Sequence, residues 1–172
     1  FLTTAYDGGQ RLSIVGFRRS DGKQLFEAFV PQRDIEFGHP KNGHASATPV
    51  TDGRRVYASL GSNGLLAIDL DGKVVWHRQI GRLSNYHGSA GSPVLYKDRV
   101  ILFQDAGGES FVAAFDAATG KVLWRTPRRE SIGWGTPIVV RAGTRDEVIV
   151  SSEFRVYGYD PATGRELWFV EG

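Results

Sequence analysis

The chain contains no cysteine and no methionine. The lack of cysteine excludes disulfide bonds and thiolate metal ligands, although it does not identify a compartment. The longest apolar run is about five residues, whereas a membrane-spanning helix needs about 20. No segment shows the 3.6-residue apolar periodicity of a surface helix. The sequence therefore predicts neither membrane insertion nor a helical fold.

The chain also lacks a large excess of one charge, since it contains 21 lysines and arginines and 19 aspartates and glutamates. A nucleic-acid-binding protein is expected to carry a basic stripe, so we predict no nucleic-acid partner. Phosphate-binding glycine loops, nucleophile elbows and His-Glu-x-x-His zinc motifs are absent as well. The sequence thus names neither a reaction nor a catalytic residue, and whether the chain is an enzyme stays open.

What the chain does contain is a turn followed by an aromatic residue, four times over. The copies are Asp116-x-x-Thr119-Gly120-Lys121-x-x-Trp124, Asp160-x-x-Thr163-Gly164-Arg165-x-x-Trp168, Asp69-x-Asp71-Gly72-Lys73-x-x-Trp76 and Ser20-Asp21-Gly22-Lys23-x-x-Phe26. Their glycines are 50, 48 and 44 residues apart. Periods of about 40–50 residues occur in propeller blades and in helical solenoids.

The pattern inside each unit decides between those two architectures. The third unit contains four short runs rich in β-branched and aromatic residues, at 92–96, 100–104, 111–115 and 122–126, with turn residues between them. Four short antiparallel strands per unit are typical of a propeller blade. We therefore predict an all-β chain, a partial β-propeller of about four four-stranded antiparallel blades. It forms a single domain, 1–172, with blades near 1–30 (incomplete), 44–80, 88–126 and 133–170.

The repeated turn and aromatic are predicted to be structural. Glycine adopts the positive φ that a tight turn requires, and the aspartate accepts backbone N–H bonds across it. A large ring on the outer strand is expected to pack flat on the neighbouring blade, with an indole N–H donating to a carbonyl. The residues assigned to this inter-blade packing are Phe26, Trp76, Trp124, Trp168, Gly22, Gly72, Gly120 and Gly164.

The repeat also resembles a known family. Ala114-x-Asp116-x-x-Thr119-Gly120-Lys121-x-x-Trp124 resembles the tryptophan-docking motif of the PQQ-like propellers. That superfamily includes quinoprotein alcohol dehydrogenases and the BamB-like scaffold of the machinery that assembles outer-membrane β-barrels. The segment Ala47-Thr48-Pro49-Val50-x-Asp52-Gly53-x-x-Val56-Tyr57 is similar to uncharacterised bacterial PQQ-like repeat proteins.

The resemblance implies a non-catalytic binding or scaffolding propeller of the bacterial cell envelope, periplasmic or at the cell surface. Its partner would be a protein or additional blades that complete a ring of seven or eight. Additional blades are favoured because Phe1 already starts within a strand. The alternative to additional blades is that two such chains form one ring. The alternative is part of a dehydrogenase that uses PQQ with Ca²⁺ to oxidise an alcohol or sugar. The adjacent cysteines of those enzymes are missing here, so no cofactor is predicted for this sequence.

Strand order predicts which loops share a face. Segments 31–44, 81–88 and 127–133, and the loops 61–64, 106–110 and 153–155, are expected to form one rim, the usual binding surface of a propeller. The candidate binding residues on it are Arg33, Asp34, Glu36, His39, His44, Arg82, His87, Arg128, Arg129 and Trp134.

Three of these candidates occupy matched places in successive units. His44 and His87 precede Pro49 and Pro93 by five and six residues, and Trp134 has the comparable place in the last blade. They form either a binding cluster at the mouth of the propeller's central channel or hydrogen bonds between blades. The hydrogen bonds between blades are the favoured interpretation. Asp34, Glu36, His39 and His44 carry possible metal-binding atoms, but at irregular spacing in a loop, so no metal site is predicted.

Overall fold

The computed structural model describes residues 1–31 and 35–172. Within them, fifteen β-strands form four antiparallel sheets, the first with three strands and each of the others with four. The first sheet contains β1 (Leu2–Tyr6), β2 (Arg11–Phe17) and β3 (Gln24–Phe29). The second contains β4 (Val50–Thr51), β5 (Arg55–Ser59), β6 (Leu65–Asp69) and β7 (Val74–Arg78).

The remaining two sheets repeat this order of strands. The third contains β8 (Val94–Tyr96), β9 (Arg99–Gln104), β10 (Phe111–Asp116) and β11 (Val122–Pro127). The fourth contains β12 (Ile138–Ala142), β13 (Arg145–Ser151), β14 (Arg155–Tyr159) and β15 (Glu166–Glu171). Short 3₁₀ turns cover Asp7–Gly9 and Gly61–Asn63, and no helix among the described residues has the length and apolarity needed to cross a membrane. The predicted all-β propeller of antiparallel blades, open rather than closed, is confirmed.

The repeated turns of all four sheets share a glycine with a left-handed backbone. Their glycines have φ values of +71°, +87°, +69° and +74°, which only glycine adopts without strain. In the third sheet Asp116 Oδ1 accepts the Thr119 backbone N–H at 2.8 Å and the Thr119 hydroxyl at 2.7 Å. These hydrogen bonds close the reversal between the third and fourth strands of the sheet.

The repeated aromatic rings of the first three sheets, Phe26, Trp76 and Trp124, each pack on the turn of the next sheet. Trp76 Nε1 donates to the carbonyl oxygen of Ala117 at 3.0 Å, and Trp124 Nε1 donates to that of Pro161 at 3.1 Å. A Cβ placed on Gly120 would lie 2.7 Å from the Trp76 ring, so the ring occupies the space that a side chain would take. The turn of one sheet is therefore the surface on which the preceding sheet packs.

A β-bulge follows the residue opposite each of these aromatics. Gly16, Ala67, Ala114 and Gly158 face Phe26, Trp76, Trp124 and Trp168 across the strand pair, and the register shifts directly after each of them. A small residue leaves room for the large ring against its own sheet. The ring is thus held between a small residue of its own sheet and, where a next sheet follows, the glycine of that sheet.

Apolar side chains fill the three junctions between successive sheets. The second and third sheets enclose a buried cluster that includes Tyr57, Leu65 and Trp76 on one side and Leu102 and Phe115 on the other. Similar clusters join the first sheet to the second and the third to the fourth. The core is therefore a series of inter-sheet layers, and each sheet is stabilised by its neighbours.

Candidate functional site

The loops that precede the first strand of each blade meet the loops between second and third strands on one face, here called the rim. Glu36 joins two of them, because its carboxylate accepts the backbone N–H of Ser62 and that of Ser89, the latter at 3.2 Å. Gly107 N–H donates to Ser84 O at 2.8 Å and links the next pair of loops. The rim is thus a continuous surface tied together by hydrogen bonds between loops from different blades.

Five rings lie together on this surface and form the rim aromatic cluster, Phe37, His39, Tyr86, His87 and Trp134. They come from three successive inter-blade segments. Centroid distances are 6.2 Å between Phe37 and Tyr86, 5.1 Å between His39 and His87, and 5.3 Å between His87 and Trp134. Phe37 and Tyr86 each remain 65% exposed and Trp134 39%. Phe37, Tyr86 and Trp134 thus leave apolar surface open to solvent on the rim.

Hydrogen bonds hold the backbone under the cluster in place. Trp134 Nε1 donates to Gly88 O at 3.2 Å, and Asn42 Nδ2 donates to His87 O at 2.6 Å. His39 Nδ1 accepts the Lys41 backbone N–H at 3.1 Å. A cavity of about 490 Å³ lies between His39, Lys41, Asn42, His87, Ala90 and Trp134. The rings of the cluster therefore stand on a hydrogen-bonded backbone beside an open cavity.

His44 and His87, which occupy matched positions in successive units of the sequence, do not lie together in the structure. His39, not His44, stands next to His87. The His44 ring instead fills the space over two glycines, because a Cβ on Gly9 would lie 2.6 Å from it and one on Gly38 would lie 2.8 Å from it. His44 therefore packs the long loop against the first sheet. Arg33 and Asp34 lie outside the described residues.

Arg128, which the sequence places on the exposed rim, is buried between the third and fourth sheets. Its Nε and Nη2 donate to the two carboxylate oxygens of Asp105 at 2.7 and 2.9 Å, and both side chains are fully buried. Nη1 donates to the Tyr159 hydroxyl and Nη2 to the Ser152 hydroxyl. The guanidinium lies 4.4 Å from the Tyr157 ring centroid. It is therefore a structural cation whose donors are used inside the protein.

The pKa values of this buried group follow from its surroundings. Burial lowers the pKa of Arg128, but the hydrogen bonds and the charge of Asp105 outweigh it, so the net shift is upward. Burial raises the pKa of the Tyr159 hydroxyl, with the Arg128 charge opposing. Both shifts keep Arg128 charged and Tyr159 neutral over the physiological range. We infer no proton-transfer role from this network.

The remaining candidates divide by exposure. Arg82 and Arg129 are exposed, and Arg82 lines a cleft of about 450 Å³ next to Tyr86. Glu36 lines the same cleft, but its oxygens are occupied by the backbone N–H groups of Ser62 and Ser89. The structure thus brings Glu36, His39, Arg82, His87 and Trp134 to one region of the rim.

Three members of this region were missed by sequence reasoning, which singled out matched positions and charged residues. Phe37, Tyr86 and Lys41 lie in loops between the blades, where no repeated position marks them. Two exposed aromatics in segments otherwise rich in polar and turn residues are a signal that could have indicated them.

The described residues do not form a site for a metal ion. No group of three or more histidine, aspartate or glutamate side chains lies together among residues 1–31 and 35–172. We derive no chemical step through PQQ.

Comparisons with known proteins identify the family. A model of the family described as outer membrane protein assembly factor BamB matches residues 2–81 and 108–171. The chain belongs to this family. Among curated proteins, quinohemoprotein alcohol dehydrogenase ADH IIB of Pseudomonas putida is 34% identical over 77 residues, which cover 42% of this chain and 11% of that enzyme.

Solved structures support the same fold. BamB from Moraxella catarrhalis matches with a TM-score of 0.66 and 17% identity, over 99% of this chain and 44% of the other. A europium-containing methanol dehydrogenase matches with a TM-score of 0.71 and 13% identity, over 99% of this chain and 39% of the other. At such identities the likeness shows the fold alone. The chain spans less than half the length of each of these relatives.

Proposed function

We propose that this chain is a non-catalytic binding propeller of the bacterial cell envelope that presents its rim to a protein partner. The observation that carries the proposal is the rim aromatic cluster, which three loops from different blades assemble on one exposed surface. The family match supports the proposal, because the family is described as that of an outer membrane protein assembly factor. The envelope location comes from the same description.

The chemistry of the rim suits binding better than catalysis. Aromatic side chains are enriched among the residues that contribute most to protein–protein affinity, and they are most effective on a rigid surface. Here the rings sit on loops that are hydrogen-bonded to one another and anchored on stacked sheets. The buried ionisable groups nearby, Arg128 and Asp105, are paired with each other and do not face the cluster's cavity. The rim therefore offers a preorganised contact surface.

The proposal is tested by photo-crosslinking. A photoreactive phenylalanine analogue is introduced at Tyr86 on the rim and, in a matched control, at Leu70, which is 45% exposed in the turn on the opposite face. We expect discrete adducts with a protein from the Tyr86 position that disappear when Trp134→Ala is added, and none from Leu70. Equal adducts from both positions, or none from Tyr86, would contradict binding through the rim.

The second candidate is part of a quinoprotein dehydrogenase, which the 34% identity to the alcohol dehydrogenase over 77 residues favours. It predicts that adding PQQ and Ca²⁺ to the protein produces a quinone absorbance that co-elutes with it and a dye-coupled oxidation of an alcohol or sugar. On the binding proposal we expect neither. A bound quinone with dye reduction would replace the binding proposal by the catalytic one.

A further inference from the structure

The rim aromatic cluster also has features that select among binding partners. Its five rings do not form a flat platform. The interplanar angles are 52° between His39 and His87, 82° between Tyr86 and His87, and 73° between His87 and Trp134. Sugar rings bind best on a broad exposed aromatic face, whereas edge-to-face rings leave notches between them. The surface is therefore shaped to receive separate side chains.

The notches lie in two neighbouring recesses. The cavity of about 490 Å³ is lined by His39, His87 and Trp134, and the cleft of about 450 Å³ is lined by Phe37 and Tyr86. His39 and Tyr86 connect the two recesses, with ring centroids 5.3 Å apart. Two adjoining pockets separated by a ridge of rings fit alternate side chains of an extended segment.

The two exposed charged side chains that line these recesses are both positive. Among the described residues that line them, the cations are Lys41 in the first and Arg82 in the second, and both are exposed. Glu36 is the single carboxylate in that set, and the backbone N–H groups of Ser62 and Ser89 already bind it. Carboxylates of a partner would therefore meet complementary charge beside the apolar notches, whereas lysines would not.

We infer that the rim aromatic cluster binds an extended protein segment that carries two aromatic or large aliphatic side chains two residues apart, with aspartates or glutamates two residues before and after them, so that all four side chains lie on one face of the segment. The apolar side chains enter the notches at His87 and Tyr86, and the carboxylates pair with Lys41 and Arg82. This inference rests on the proposed function and specifies the chemistry of its partner.

Fluorescence polarisation with labelled peptides of equal length tests the inference on the full chain. One peptide carries two aromatic residues two positions apart with glutamates two positions before and after them, a second has lysines in place of these glutamates, and a third keeps the glutamates but has serine in place of the aromatics. We expect the first to bind at least about tenfold more tightly than either of the others. A chitin-derived oligosaccharide is the competitor that represents a glycan.

Variants then locate the binding site. Tyr86→Ser is expected to weaken binding of the acidic–aromatic peptide by about tenfold. Lys41→Glu is expected to weaken that peptide and to strengthen the basic–aromatic one, which a purely structural role for Lys41 would not produce. Leu70→Ser and Lys121→Glu, on the opposite face, serve as matched controls and are expected to leave both affinities unchanged.

The outcomes of these measurements either support or overturn the inference. Equal affinity for all three peptides, no binding of the acidic–aromatic peptide, displacement by the oligosaccharide, or an unchanged preference in Lys41→Glu overturns it. If crosslinking at Tyr86 persists while the peptide preference fails, only the partner's chemistry is wrong. Loss of both results removes the proposed function as well.

Discussion

At the scale of single residues, the repeated glycines have two separable roles. Gly164 has a φ of +74°, and a Cβ added to it would lie 2.6 Å from Cδ2 of Trp124. Gly164→Ala therefore combines backbone strain with a collision against the indole. We expect it to lower the free energy of unfolding by about 3 kcal/mol, the sum of a left-handed penalty and an overpacking penalty. Urea unfolding followed by tryptophan fluorescence measures this change.

Gly22 provides the matched control for this prediction. It has the same place in the first turn and a φ of +71°, but nothing lies within 4 Å of an added Cβ. Gly22→Ala is expected to cost about 1 kcal/mol, from the backbone alone. If the two variants are equally destabilised, the contact between Trp124 and the turn does not contribute to stability.

The last aromatic shows how the same residue type depends on its neighbour. Trp168 Nε1 donates to Glu147 Oε2 of its own sheet at 2.7 Å, whereas Trp76 and Trp124 donate to carbonyls of the next sheet. Within the described structure no fifth sheet follows. An indole N–H needs a partner when it is partly buried, and the nearest acceptor is then a side chain. The repeated sequence alone does not distinguish these two outcomes.

At the scale of elements, the junction between the third and fourth sheets differs from the one before it. Ile80 and Arg128 each lie four residues after the tryptophan of their sheet. Ile80 packs in an apolar cluster, whereas Arg128 pairs with Asp105 in a fully buried site. Asp105→Ala leaves the Arg128 cation buried without its carboxylate, and we expect it to cost about 3–5 kcal/mol in the free energy of unfolding.

A double variant tests the cause of that cost. Arg128→Ile together with Asp105→Ala replaces the ion pair by the arrangement of the preceding junction, so it is expected to be more stable than Asp105→Ala alone. Urea unfolding of wild type, both single variants and the double variant completes the cycle. Additive losses in the double variant would show that the charges are not coupled.

Comparison of elements also shows how much the sequence could predict. Turn glycines and runs of β-branched residues act locally, so the strands 111–115 and 122–126 were located to within one residue of β10 and β11. The rim depends on contacts between residues far apart in sequence, such as the ring contact of His87 with Trp134 and the Asn42 bond to His87. Matched spacing suggested His44 for that cluster, but the loop conformation places His39 there. Long loops lack a repeating sequence pattern, so the sequence does not predict which of their residues meet in space.

At the scale of the whole molecule, the four described sheets form an open series, and one face of the last sheet has no neighbour among them. Val94, Val112 and Trp124 of the third sheet pack towards the fourth. The corresponding residues of the fourth sheet include Ile138, which is 54% exposed, and Trp168. Val170, opposite Val156 on β14, is 59% exposed on the same face. The outer strands of the first sheet expose Leu2 and Leu25 as well. Apolar faces of this kind are normally covered by another blade.

We therefore expect the isolated 172-residue chain to self-associate as its concentration rises, through these faces rather than through the rim. Sedimentation equilibrium over a range of concentrations measures the association. The double variant Ile138→Lys/Val170→Lys is expected to shift the population towards monomer, because it places two charges where a neighbouring sheet would exclude water. Tyr86→Ser on the rim is the control and is expected to leave the association unchanged. A monomer at every concentration, or a larger effect of Tyr86→Ser than of the lysine pair, would mean that the end faces do not drive association and that the exposed rings of the rim do so instead.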